Sequence, residues 1–228
     1  MARGPQVLGC FGVDAVATHS WQLHDEIDVL LNKLGLGLGQ MDVLSVTTGP
    51  GSFTGLRIGL ATVKGFAHSL NKPVVGVSTL GAQARAAGVS GLVCACLDAL
   101  RGEVYAQLFQ VNSDGSVEPL TETSLALPSQ VYASLVNESM VTFVGDGVLA
   151  SLEVLRDEAA TIGRQVMLSA VAPPPDEGWI VIQRHDFLAP AVAWLTEFEL
   201  QQGRARNAAE LAALYVRPAD AEAKRRDK

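Results

Sequence analysis

At 228 residues, 48% hydrophobic and 18% charged, the chain can bury a sizeable core as one large domain or two small lobes. Its formal net charge of −7 resides in residues 101–228, where eleven Lys/Arg meet eighteen Asp/Glu, while the first hundred residues balance six against six. That balance argues against a protein that grips nucleic acid through its own basic surface. No run nears the ~18 apolar residues of a membrane span and no basic-then-apolar leader opens the chain, so a cytoplasmic protein without membrane contact is expected.

Residues 7–13 read as a short strand. Leu23, Ile27, Leu30, Leu31 and Leu34 then recur at helical spacing behind Ser20, a good N-cap, with Gly35 as a stop. An apolar run over residues 42–48 enters Gly49-Pro50-Gly51, and a helix is expected at once over 53–70, ended by Asn71-Lys72-Pro73. Residues 74–78 and 92–98 read as strands around a helix at 82–87, a succession that argues for an α/β layer with parallel strands. Beyond Asp98-Ala-Leu-Arg-Gly102 the style changes. Residues 103–110 and 117–120 flank Asn112-Ser-Asp-Gly115, a turn of hairpin composition, and a strand at 141–144 ends in Gly145-Asp146-Gly147. Helices are expected at 150–164 and 187–202, with Pro173-Pro-Pro175 between them. The lobes therefore divide into 1–101 and 102–228, the last helix being free to pack back on the first lobe.

The informative stretch is residues 49–65, GPGSFTGLRIGLATVKG: strand, tight glycine turn and helix N-terminus in succession. Such a unit brings backbone N–H groups close to something. It is not a Walker A loop, because Leu56 follows Gly55 where a lysine is needed. Gly49, Gly51 and Gly55 are spaced one residue too widely for a dinucleotide fingerprint, and Pro50 spoils a nucleophile elbow at Ser52. Gly55, Gly59, Ala61 and Gly65 also offer small residues for a close helix contact. Helix packing and ligand contact both remain open from residue chemistry alone.

Other chemistry is sparse. Cys10, Cys94 and Cys96 make an odd count suited to a reducing compartment, and no further Cys/His pair completes a four-ligand zinc site around Cys94 and Cys96. His19, His24, His68 and His185 contain no pair at metal-ligand spacing. Asp98, Arg101 and Glu103 cluster at the lobe junction, as a hinge ion pair or a ligand contact. No nucleophile, base and orienting group can be assembled.

GPGSFTGLRIGLATVKGFA resembles the signature of the TsaB (YeaZ) family, which serves the synthesis of threonylcarbamoyladenosine in tRNA. Pro73-Val-Val-Gly-Val-Ser-Thr-Leu80, Asp98-Ala-Leu-Arg-Gly-Glu-Val-Tyr105, Gly145-Asp-Gly147 and Leu214-Tyr-Val-Arg-Pro-Ala-Asp-Ala221 are similar as well, so the likeness runs almost end to end. The resemblance implies an α/β, actin/Hsp70-like (ASKHA, RNase H-like) two-lobe fold, here lacking the first strand of the N-terminal lobe. The family's Asp-Thr-Ser strand has no counterpart ahead of His19, and the true start is expected upstream. The resemblance further implies a non-catalytic subunit that supports the TsaD transferase through a helix bundle, with TsaE as a second partner, a homodimer in isolation, and tRNA met only through the complex. The expected partner surface comprises Ser20, Leu23, Ile27 and Leu31 on the first helix, and Thr54, Gly55, Arg57, Ile58, Gly59, Thr62 and Gly65 on the second. Gly49, Gly51, Ser52, Asp98, Arg101, Gly102, Gly145, Asp146 and Gly147 are the candidate nucleotide-cleft residues. No catalytic or metal residue and no cofactor of its own are expected, ATP or ADP belonging to the complex. The alternative is an ATP-dependent or peptidase-like enzyme of the same fold.

Overall fold

The computed structural model describes residues 1–12, 20–170, 178–183 and 187–216, with residues 20–22 given by their backbone. By internal contacts it divides into two compact units. The first comprises Met1–Thr48, Ser52–Val77 and Phe187–Ala213; the second comprises Gly49–Gly51, Ser78–Asp186 and Leu214–Lys228. This differs from a boundary at residue 101. The strand expected to close the first lobe pairs along its whole length with the strand after it, so the two belong to one unit.

The first unit opens on a small antiparallel hairpin of β1 (Ala2–Arg3) and β2 (Gln6–Val7). The strand expected over 7–13 is thus only its first residue; residues 8–12 are not extended ladder, and 13 lies outside the described residues. Glycines explain part of this: Gly9 lies against Leu30 and Leu34, and Gly12 has the Phe187 ring where a side chain would be. Helix α1 (Ser20–Leu34) ends at Gly35 with φ +64°, the left-handed stop glycine supplies without strain. Strand β3 (Leu44–Gly49), helix α2 (Phe53–Leu70) and β4 (Val74–Ser78) follow as expected. Asn71 closes α2 at φ 51°. β3 and β4 form a two-stranded sheet, with Thr48 Oγ1 donating to Val77 O at 3.3 Å. Arg206, beyond helix α7 described below, exchanges both backbone hydrogen bonds with Val74 at 2.9 Å. Leu60, Ala67, Val74 and Leu211 make this unit's core.

In the second unit, α3 (Thr79–Ala86) begins three residues earlier than its apolar spacing suggested, because Ser78 caps it by accepting from Gly81 N–H at 3.2 Å. Strands β5 (Gly91–Asp98) and β6 (Val104–Val111) pair antiparallel from Gly91↔Val111 to Asp98↔Val104. β7 (Val117–Pro119) and β8 (Ser124–Ala126) both pair with β6. After α4 (Pro128–Ala133) comes β9 (Val141–Val144), parallel to β5. The helix expected at 150–164 is two pieces, α5 (Asp146–Ala150) and α6 (Leu152–Thr161), broken at Ser151. β10 (Val166–Ser169) and β11 (Trp179–Ile182) extend the sheet in parallel. The result is a mixed sheet of order β10-β11-β9-β5-β6-β7 rather than an all-parallel one. The last described α-helix, α7 (Ala189–Gln201), belongs to the first unit. Among the described residues no helix is long and apolar enough to cross a membrane.

Candidate functional site

Helix α2 carries most of the expected partner surface. Its start is fixed by Ser52, whose Oγ accepts from Gly55 N–H at 3.3 Å. At 100° per residue, Leu56, Leu60, Val63 and Ala67 share one side; Leu56, Leu60 and Ala67 are buried there, anchoring the helix to its own unit. The opposite side holds Thr54, Arg57, Ala61, Gly65 and His68, all exposed. Arg57 lies over the Phe53 ring at 3.8 Å.

The small residues do not form one stripe. Gly59 and Gly65 are six positions apart, about 120° around the helix. A methyl group at Gly59 would sit 3.3 Å from Val46 Cγ2, so that glycine lets α2 lie close on its own strand β3. At Gly65 nothing comes within 4 Å, and at Gly55 only the Ser52 side chain does, at 3.6 Å. Gly59 is therefore occupied within the unit, whereas Gly55 and Gly65 are exposed.

The other expected partner residues divide in the same way. Leu31 on α1 and Thr62 on α2 are buried, 5% and 8% exposed. Leu23, Ile27 and Ile58 are half-buried. Ser20 lies at the start of α1, its side chain outside the described residues. His24 of α1 meets Phe66 of α2 edge-on, ring centroids 5.6 Å apart, which ties the two helices together. The available surface is Thr54, Gly55, Arg57, Ala61, Gly65 and His68, with Ile58 at its margin. α2 contains no acidic residue, so this face is uncharged or positive.

The candidate cleft residues show a structural arrangement within the second unit. Gly145 has φ +106°, and a side chain there would run into the Cys96 carbonyl of β5. A methyl at Gly147 would come within 2.6 Å of the Leu97 carbonyl carbon and 2.9 Å of Asp98 N. The two glycines are thus needed for the turn to lie flat on β5. Asp146 locks it there, its Oδ1 accepting from Asp98 N–H at 3.0 Å. Asp98 Oδ1 in turn accepts from Leu100 N–H at 2.8 Å and shapes the β5–β6 turn, where Leu100, Arg101 and Gly102 all have positive φ. Gly49, with φ +115°, and Gly51 group with this unit, while Ser52 serves as the helix cap.

What braces this turn leaves no mark in the residue pattern. Tyr132 on α4, fully buried, hydrogen-bonds Ser151 Oγ at 2.6 Å, and Ser151 donates to Gly147 O at 2.6 Å. Burial is the main cause that pushes the Tyr132 hydroxyl far above its ordinary pKa, so it stays protonated. Ser151 spends its side chain on this chain of bonds at the point where α5 ends and α6 begins. Among the described residues no three His, Cys, Asp or Glu side chains converge as a metal site.

Comparison with known proteins adds the following. The profile of the family described as "TsaD: tRNA N6-adenosine threonylcarbamoyltransferase" matches residues 9–171. The tRNA threonylcarbamoyladenosine biosynthesis protein TsaB of Haemophilus influenzae is 42% identical over 94 residues, which span 40% of this chain and 40% of that protein. TsaB of Bacillus subtilis is 28% identical over 212 residues, covering 90% of this chain and 82% of its own. Among solved structures, YeaZ from Pseudomonas aeruginosa superposes with a TM-score of 0.70 at 24% identity, over 88% of this chain and 86% of that one.

Proposed function

Because the chain belongs to the TsaD family, and within it to the TsaB/YeaZ group with its actin/Hsp70-like fold, we propose that it is a non-catalytic subunit for threonylcarbamoyladenosine synthesis in tRNA. In this reading it docks a TsaD-type transferase through the exposed side of α2. The observation that carries the proposal is Gly65: a glycine in the middle of an exposed helix face with nothing within 4 Å. Glycine there costs the helix about 1 kcal/mol relative to alanine, and among the described residues no contact inside the subunit requires it. A second backbone approaching closely would require it. Thr54, Gly55 and Ala61 extend the same low surface, and Arg57 and His68 favour an acidic border on the partner. The acidic C-terminal half agrees with tRNA being held by other subunits. TsaE, a homodimer in isolation, a cytoplasmic setting and adenine nucleotide at the level of the complex belong to the same proposal.

The test is association with the TsaD-type protein of the same genome, measured by light scattering on the wild type and on Gly65→Arg. The wild type should form a complex, and the variant should keep its circular dichroism spectrum while losing the complex. A folded Gly65→Arg that associates as well as the wild type would remove α2 from the interface. Gly59→Arg is a poor probe, since it would press on Val46 and disturb β3.

A further inference from the structure

The second unit encloses a pair of thiols that none of the foregoing uses. Cys94 and Cys96 lie two residues apart on β5 and so face the same side of the sheet. Their Sγ atoms are 3.7 Å apart, and the residues are 2% and 0% exposed. Tyr132, Val141, Phe143 and Val181 belong to the apolar cluster around them. Among the described residues no third donor completes a cluster.

Donor count and surroundings together define what such a pair can hold. Zn²⁺ takes about four protein ligands in a closed site, and only two are present. A monovalent soft cation between two thiolates would leave a net negative charge in an apolar core, which is costly. A divalent cation that is content with two sulfurs forms a neutral unit. We propose that Cys94 and Cys96 form a two-sulfur site for a divalent thiophilic cation of linear preference, represented by Hg²⁺. One ion replaces two thiol protons: two S–H bonds break, two sulfur–metal bonds form, two protons leave to solvent, and no oxidation state changes. With metal–sulfur bonds of about 2.3 Å, as for zinc thiolates, a linear unit spans about 4.6 Å. The sulfurs therefore separate by roughly 0.9 Å from their present spacing, a shift within the reach of side-chain rotation. Metal-bound sulfur is thiolate and an ordinary thiol is protonated at neutral pH, so uptake displaces protons and weakens as pH falls.

The experiment uses the full chain carrying Cys10→Ser, which removes the one exposed thiol. HgCl₂ is titrated under native mass spectrometry, with circular dichroism and released protons followed in parallel. The expected result is one ion per folded chain, two protons released, and no displacement by excess Zn²⁺. Adding Cys96→Ala or Cys94→Ala should weaken binding by about a hundredfold or more, the difference between two sulfurs and one. Undiminished binding after either substitution, release of a single proton, or uptake only together with loss of the folded spectrum would overturn the assignment.

Discussion

Glycines that look alike in the sequence do different work in the fold. Gly65 stands in open space, so Gly65→Ala should raise stability in urea by about 0.5–1 kcal/mol, the ordinary helix-propensity gain. The same substitution should weaken association if a partner backbone needs the room. Gly147→Ala should do the reverse to stability. Its new methyl would meet the Leu97 and Asp98 backbone, which cannot swing aside, and a loss of about 3 kcal/mol is expected in the same urea experiment. Gly76 on β4 differs from Gly147: a methyl there would come within 2.6 Å of Thr48 Cγ2 and 2.9 Å of Leu211 Cδ1, side-chain atoms that can shift where backbone cannot, so a smaller loss is expected. Glycine spacing in a sequence cannot separate these cases, because what decides them is the neighbour across space. The motif at 49–65 drew attention to α2, yet the division between Gly59, committed to Val46, and Gly65, left open, needed the packing. The same holds for Asp98, legible as a charge at the junction, and Asp146, legible as part of a glycine turn, but not as residues joined by a hydrogen bond.

At the scale of elements, long periodic segments were legible, and short apolar ones only in part: β4 and β9 lie where they were expected. α1 and α2 lie where leucine spacing and the Ser, Gly and Asn boundary residues place them. β10 and β11 were missed because four residues carry too little period; β11, buried throughout between β10 and β9, shows no alternation, and the edge strand β10 leaves Met167 and Leu168 exposed. The break between α5 and α6 is set by Ser151, whose bonds reach Tyr132 and Gly147 and leave no trace in local propensity. The core strand β5 also sets a pH limit. Cys96 keeps its proton in the native state, first through contact with Cys94 and then through burial, where the unfolded chain would release it. The native state then binds more protons than the unfolded one, so stability is full below the ordinary thiol value and falls as pH rises past about 8.5. Tyr132, raised mainly by burial, adds a second decline above about pH 10. Chemical denaturation from pH 7 to 10 should show the first decline, and Cys96→Ala should flatten it; an unchanged slope would assign it to other groups.

For the whole molecule, charge and surface point away from direct tRNA capture. The −7 balance falls entirely in residues 101–228, and the open face of α2 is small and mildly basic rather than a basic groove. The chain alone should therefore bind tRNA no more tightly than the non-specific range, about 10 μM or weaker at physiological salt, as gel-shift titration can read. The most direct test of the central claim is hydrogen–deuterium exchange of the chain with and without the TsaD-type protein of the same genome. Complex formation should slow exchange of the α2 backbone across residues 54–68 while leaving the β5–β9 core unchanged. A stable complex in which α2 exchanges as fast as in the free chain, with protection elsewhere, would contradict it.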